Sequence, residues 1–283
     1  MSENKLQKLR LGSAAIRLET LKMMREKGYG HLGGAMSVVE LLSVLYNEVL
    51  RYNPQKPDWD ERDYVVLSKG HSGPALYAAL ALHGFFDCGW LKTLNDGGTK
   101  LPSHPDRLKT PGVDATTGSL GQGTSVAAGL GMALRLEKKE QKVYLIVGDG
   151  ELNEGQCWEA FQFLAHHRLH EVIVIIDHNK RQLDGKLTEI LNPFDLGKKM
   201  EAFGFRVLSA DGQKEASILS ALQSAGEVRD SAVCILMETK KAQGVPYYVD
   251  RDDNHAPKFD ETAKRELDQV MEQLRLQIEN GGN

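Results

Sequence analysis

The sequence predicts an α/β fold of three layers, α/β/α, around a mostly parallel sheet. Two observations lead there. The apolar runs VYLIV (143–147) and VIVII (172–176) flank a segment of helical period, which makes one strand–helix–strand unit. Strands and helices then alternate along the chain, the pattern of a parallel sheet with helices on its faces. A right-handed crossover brings both strand ends to one edge of the sheet. Asp149 and Asn179 therefore emerge side by side where open α/β sheets bind ligands.

The elements follow in order. Apolar positions Leu6, Leu9, Ile16, Leu21 and Met24 predict an amphipathic helix over 3–27, stopped at Gly28. Residues 30–34 read as a loop, and 37–49 as a helix opened by Ser37 with Glu40 in the capping-box position. A short strand over 63–68 runs into a polar loop bearing His71, then a helix from Pro74. Residues 87–115 lack periodicity and contain His104; a loop of that length is usually functional. Gly118 to Gly123 open an Ala/Gly-rich helix over 124–136. In the central unit, Asn153 is placed to cap the crossover helix. A polar loop is expected over 180–199, then a strand over 205–208, a helix over 214–228 and a strand over 232–237. A second long loop, 239–260, carries His255. Apolar residues from Ala263 to Ile278 mark a last helix over 261–279. The expected division is one domain over 1–260 and a C-terminal helix and tail over 261–283.

The carboxylate of Asp149 and the amide oxygen of Asn179 are hard donors suited to Mg²⁺, or to Ca²⁺ in its place. Mg²⁺ usually shares its remaining positions with phosphate and water. Gly148 and Gly150 leave room for a phosphate to approach, and the following helix start offers free N–H groups. The expected site is a metal-bridged diphosphate; alone, a GDG turn is more often a plain strand-to-helix connection.

Composition narrows the classes. The chain is 41% hydrophobic and 26% charged with net charge −4, which is ordinary for a soluble globular protein and leaves no footprint for nucleic acid or an anionic membrane. No apolar run approaches the roughly 20 residues of a membrane span, and the N-terminus lacks a signal-peptide block. Cys88, Cys157 and Cys234 form no framework or zinc spacing, which fits a reducing cytoplasm.

GDG, 28 residues (151–178) and then Asn resembles the thiamine diphosphate motif, and GDGELNEGQCWEA is similar to its transketolase version. GHLGGAMS (30–37), SKGHSGPALYAAL (68–80) and TTGSLGQG (116–123) agree in order, so the resemblance covers roughly 10–258. It implies a thiamine diphosphate-binding fold. Asp149, Asn179 and the backbone carbonyl of Arg181 would hold the metal. Gly148, Gly150 and His71 would meet the cofactor diphosphate, and Gly118 and Leu120 its rings. His104 would hold the donor's terminal hydroxyl. His31 and His255 would lie at the substrate carbonyl and hydroxyls, His255 also near the diphosphate. Glu154, otherwise a favourable first-turn acid, would help link two cofactor sites across a dimer. Two departures stand out: Leu32 replaces a usual Pro, and Asn254-His255-Ala256 replaces Trp-His-Gly. His83, His166, His167, His170 and His178 receive no role.

In full-length transketolases the pyrimidine-binding domain follows the region matched here. The resemblance therefore implies the N-terminal subunit of a split, cytoplasmic transketolase. Its partner would be a C-terminal subunit carrying the pyrimidine-binding domain, in an α₂β₂ heterotetramer moving a two-carbon ketol unit between sugar phosphates. The alternatives are the alpha subunit of a 2-oxo acid dehydrogenase, a 1-deoxyxylulose-5-phosphate synthase fragment, or an orphan cofactor-binding chain. The first of these lacks the SKGHSGPALY and TTGSLGQG stretches.

Overall fold

The computed structural model of the chain describes residues 2–281. Helix α1 (Glu3–Lys27) leads through the short helices α2 (Leu32–Met36) and α3 (Val39–Val44) to β1 (Tyr64–Leu67) and α4 (Gly73–Leu82). After a long irregular segment, α5 (Gln122–Leu136), β2 (Val143–Gly148), α6 (Gly155–His166) and β3 (Val172–His178) follow. A hairpin of β4 (Arg181–Gln182) and β5 (Gly185–Lys186) and the helical turn α7 (Leu187–Ile190) precede α8 (Leu196–Ala202). Then come β6 (Phe205–Asp211), α9 (Glu215–Glu227), β7 (Ala232–Glu238), the turn α10 (Pro246–Val249) and α11 (Glu261–Glu279).

Five strands make one parallel sheet in the order β1-β2-β3-β7-β6, as the alternation of elements predicted. Side chains alternate between its faces. Tyr144, Ile146, Ile173 and Ile175 pack with α1, α3, α4, α9 and α11. Leu145, Val147, Val174 and Ile176 pack with α5, α6 and α8. Both faces are covered, so β2 and β3 tolerate near-continuous apolar runs. Each fully buried Val, Leu or Ile contributes about 1.5–3 kcal/mol relative to exposure. The register pairs Gly148 with Asp177, which sets the GDG turn beside the end of β3.

Several local expectations change. Helix α2 begins at Leu32, inside the expected loop. Ser37 opens no helix: it ends α2, and its hydroxyl donates to Asp177 Oδ2 at 2.7 Å. Glu40 is no capping-box residue either, because it accepts from buried Arg17 Nη2 at 2.5 Å. A 3₁₀ turn over Gly150–Asn153 displaces the start of α6, so Glu154, not Asn153, holds the N-cap position, without a side-chain cap bond. The polar segment 180–199 contains the hairpin, α7 and the start of α8. Helix α1 does stop at Gly28, which adopts φ +77° and donates its N–H to Met24 O.

Helix α11 is not peripheral. Ala263, Leu267, Met271 and Leu274 join the core cluster that also holds Leu21 and Met24 of α1. Gly282 and Asn283 of the expected tail lie outside the described residues. Among the described residues no helix is long and apolar enough to cross a membrane. Leu267 is fully buried. Leu267→Ala should therefore destabilise the protein by about 3 kcal/mol in urea unfolding, as cavity-forming Leu→Ala changes do; an unchanged midpoint would show α11 to be dispensable to the core.

Candidate functional site

The polar residues gather at the carboxyl edge of the sheet. A cavity of about 170 Å³ there is lined by Asp149 and Asn179 together with Lys69, His71, Lys241 and His255, among others. The β2–β3 pairing places Asp149 and Asn179 as the sequence predicted, at the ends of adjacent parallel strands. Asp149 is almost fully buried; Oδ1 accepts from Gly150 N at 2.8 Å and Oδ2 from Lys180 N at 2.5 Å. Burial, then the neighbouring charge of Asp177, pushes its carboxyl up to about 8, against those N–H donors. Asn179 Oδ1 accepts from Arg181 N at 3.1 Å, while its Nδ2 donates to Asp177 Oδ2 at 3.1 Å. Arg181 lines the same cavity, and its guanidinium bonds Asp252 at 2.9 Å.

Four loops bring four histidines together. His31 precedes α2, His71 lies on the turn between β1 and α4, His104 is in the irregular segment, and His255 follows α10. The His31 ring lies 5.5 Å from those of His104 and His255 and 5.9 Å from His71. His71 and His255 are 5.1 Å apart. Backbone bonds tie the loops: Phe259 N donates to Gly28 O at 2.8 Å, and Ala242 N to Gly33 O at 3.0 Å. Gly118, at φ +137°, packs under His104; a Cβ there would come 2.8 Å from the ring.

The imidazoles are held neutral. Burial comes first in every case. Lys69 adds to it at His71, and Lys241 at His255, which falls to about 3. Lys241 itself is lowered to about 8 by burial and by Lys69. The Nδ1 atom of His255 is buried without a partner among the described residues. A neutral imidazole offers one donor and one acceptor.

Other expectations shift. Gly150 makes room for protein: a Cβ would lie 2.8 Å from Gln182 Cβ of the hairpin. At Gly148 a Cβ would meet nothing closer than 3.8 Å. Leu120 lines the cavity and is 36% exposed. Glu154 is exposed and lies outside the cavity wall. Glu151 lines it instead, accepting from Ser68 Oγ at 2.6 Å, Gly121 N at 2.8 Å and Gly148 N at 3.1 Å. Cys157 is a packed thiol, pushed up to about 12 by burial.

Sequence reasoning missed the centre of this edge. Asp177 is fully buried. Oδ2 accepts from Lys69 Nζ, Ser37 Oγ and Asn179 Nδ2, and Oδ1 from Thr239 Oγ1. Lys69, also fully buried, donates to Gly34 O at 2.9 Å as well. Burial would raise the Asp177 carboxyl; the charge of Lys69, with hydrogen bonds from Lys69, Ser37 and Thr239, outweighs it and holds the group below its usual range. The available signal was a Lys and an Asp at the carboxyl ends of apolar runs, since such charges need partners when buried. Among the described residues, no group of three or more His, Cys, Asp or Glu side chains forms a metal cluster.

A parallel sheet covered on both faces, with a buried carboxylate and amide at its carboxyl edge, defines an α/β ligand-binding domain. Residues 10–274 match the model of the transketolase, thiamine diphosphate-binding domain. The chain belongs to that family. It is 45% identical over 248 residues to a 6-deoxy-6-sulfo-D-fructose transketolase subunit of Clostridium sp. (strain MSTE9), covering 87% of this chain and 90% of that one. It is 39% identical over 234 residues to an apulose-4-phosphate transketolase subunit of Actinobacillus succinogenes, covering 82% and 84%. The crystal structure of transketolase from Campylobacter jejuni superposes with a TM-score of 0.87 at 28% identity, covering all of this chain and 46% of that one. The chain thus spans about half the length of that solved transketolase.

The histidine environment is directly measurable. His255 should titrate by NMR far below 6.5, near 3, and the other three below 6.5. In the unfolded chain these groups protonate near 6.5, so acidification from there downward should progressively destabilise the fold. A His255 midpoint above 6.5 would contradict the described packing.

Proposed function

We propose that this chain is the N-terminal, diphosphate-binding subunit of a split transketolase that uses thiamine diphosphate and Mg²⁺. The observation that carries the reading is the pairing of buried Asp149 with Asn179 at one sheet edge, in a cavity that His71 and His255 also line. The donor set fits the metal: Asp149 is a buried carboxyl held by two backbone N–H groups at the cavity wall, and Asn179 supplies a second hard oxygen. The backbone carbonyl of Arg181 is the third donor. Lys69, Lys241 and Arg181 give the cavity a cationic lining that suits a diphosphate. His255 Nδ1 is available to a ligand.

When bound, thiamine diphosphate supplies the carbanion chemistry and electron sink for breaking and making carbon–carbon bonds. The chain's own residues do the rest of this half. Asp149, Asn179 and Arg181 hold the metal, and His71 with Gly148 faces the diphosphate. Gly118 and Leu120 support the rings. His31, His104 and His255 orient the ketose by hydrogen bonds to its carbonyl and hydroxyls, and a neutral imidazole can take a proton from one or return it. Glu154, exposed beside this edge, is available to a neighbouring protomer. The reaction is transfer of a two-carbon ketol unit from a ketose phosphate, or a ketose with another anionic terminus, to an aldose phosphate. The two relatives support that range, one being named for a sulfo sugar and the other for a sugar phosphate.

The partner is a separate chain carrying the pyrimidine-binding domain, which walls the cofactor rings in an α₂β₂ assembly. The name "subunit" on relatives that this chain matches over most of their length supports that reading. Affinity capture from the native host with thiamine diphosphate and Mg²⁺ should bring down a second chain in equal amount, together with ketol transfer. Recovery of this chain alone, with no second chain in the eluate, would overturn the split-enzyme reading. Asp149→Ala should abolish Mg²⁺-dependent binding of thiamine diphosphate in calorimetry while leaving the circular dichroism spectrum unchanged; unaltered binding would refute the metal site.

A further inference from the structure

The O and N atoms of an Asn amide are nearly equal in size, so hydrogen-bond partners alone decide which one faces a ligand. At Asn179 both partners vote the same way. Nδ2 donates to Asp177 Oδ2 at 3.1 Å, and Oδ1 accepts from Arg181 N at 3.1 Å. A flipped amide would set its oxygen against a carboxylate and its NH₂ against an N–H donor. The carboxylate that enforces the choice is itself fixed from three further segments of chain. Lys69 and Ser37 donate to the same oxygen as Asn179, Thr239 donates to the other, and Gly34 O holds Lys69 in place.

We propose that Asp177 is a positioning residue: by holding the NH₂ end of the Asn179 amide it turns the Asn179 oxygen toward the cavity as a cation ligand. Asp177 touches neither metal nor substrate. It acts through Asn179, and Lys69, Ser37 and Thr239 keep its carboxylate from rotating. The proposal rests on the metal site proposed above and adds the group that makes one of its ligands an oxygen rather than an NH₂. Groups of this kind behind a metal ligand typically change affinity 10–100-fold when replaced.

The test is a double-mutant cycle read as Mn²⁺ affinity by electron paramagnetic resonance, using the assembled protein with thiamine diphosphate present. Asp177→Asn should weaken Mn²⁺ binding about tenfold or more. Asn179→Asp replaces the amide with a carboxylate, whose two oxygens need no orienting. In that background Asp177→Asn should cost about threefold or less, because little is left to orient. An equal loss in both backgrounds would mean that Asp177 acts only by neutralising Lys69, and would overturn the proposal. If Asp177→Asn does not fold, the same cycle run in Lys69→Met, which removes the buried cation, decides it on the same criterion. Wild-type protein that binds no Mn²⁺ would instead overturn the metal site itself.

Discussion

The carboxyl edge of the sheet depends on one buried ion pair. Lys69 follows β1 and Asp177 lies in β3, and β2 runs between those strands. The lysine must therefore cross the end of β2, over Gly148, to reach its partner. Burying two charges is costly, and a buried pair is weak evidence for net stability. Breaking such a pair by removing one partner, however, typically costs about 3–5 kcal/mol. What the pair provides is placement. It ties the ends of two non-adjacent strands to Gly34 and Ser37 at the α2 end and to Thr239 beyond β7.

That placement divides the work between two carboxylates on one edge. Asp177 has a cation and three uncharged donors, so it stays ionised. Asp149 has only two N–H donors, and burial with the nearby Asp177 charge drives it the other way. Environment pushes the two groups apart, which is how adjacent carboxylates come to play different parts. The charged edge also sets the histidines. Burial first, and then the nearby charges of Lys69 and Lys241, keep His71 and His255 neutral. They can therefore form hydrogen bonds with sugar hydroxyls without adding to the positive charge.

Much of this was legible in the sequence, and the reasons are local. The runs 143–147 and 172–176 are apolar throughout because both sheet faces are covered, and Asp149 and Asn179 follow from the register of one crossover. Gly28 stops α1 for the usual left-handed reason. What failed was anything decided at a distance. Ser37 reads as a helix cap, yet its hydroxyl serves Asp177, 140 positions away. Asn153 reads as a cap, yet Glu151 binds Gly148 N and Gly121 N and draws the intervening chain into a 3₁₀ turn. Lys69 and Asp177 carry no spacing signal, because their 108-residue separation acquires meaning only once the strand order is known. The histidine cluster was legible through family resemblance alone, since none of its members sits on a strand.

The four histidines are therefore placed by loops, and the precision must come from what holds the loops. Each is pinned close to its root. Gly28 O and Gly33 O, on either side of His31, accept from Phe259 N and Ala242 N, which flank the segment carrying His255. His104 rests on Gly118, which belongs to the loop that Glu151 binds through Gly121. His71 sits two residues after Lys69 and against Gly34, where a Cβ would come 2.7 Å from its Nε2. The strands bury the charges, the charges fix the loop roots, and the loop roots set the spacing of the rings. A change at Lys69 would reach His71 through Gly34, whose carbonyl Lys69 holds and against which His71 packs, so the edge and the cluster are mechanically linked.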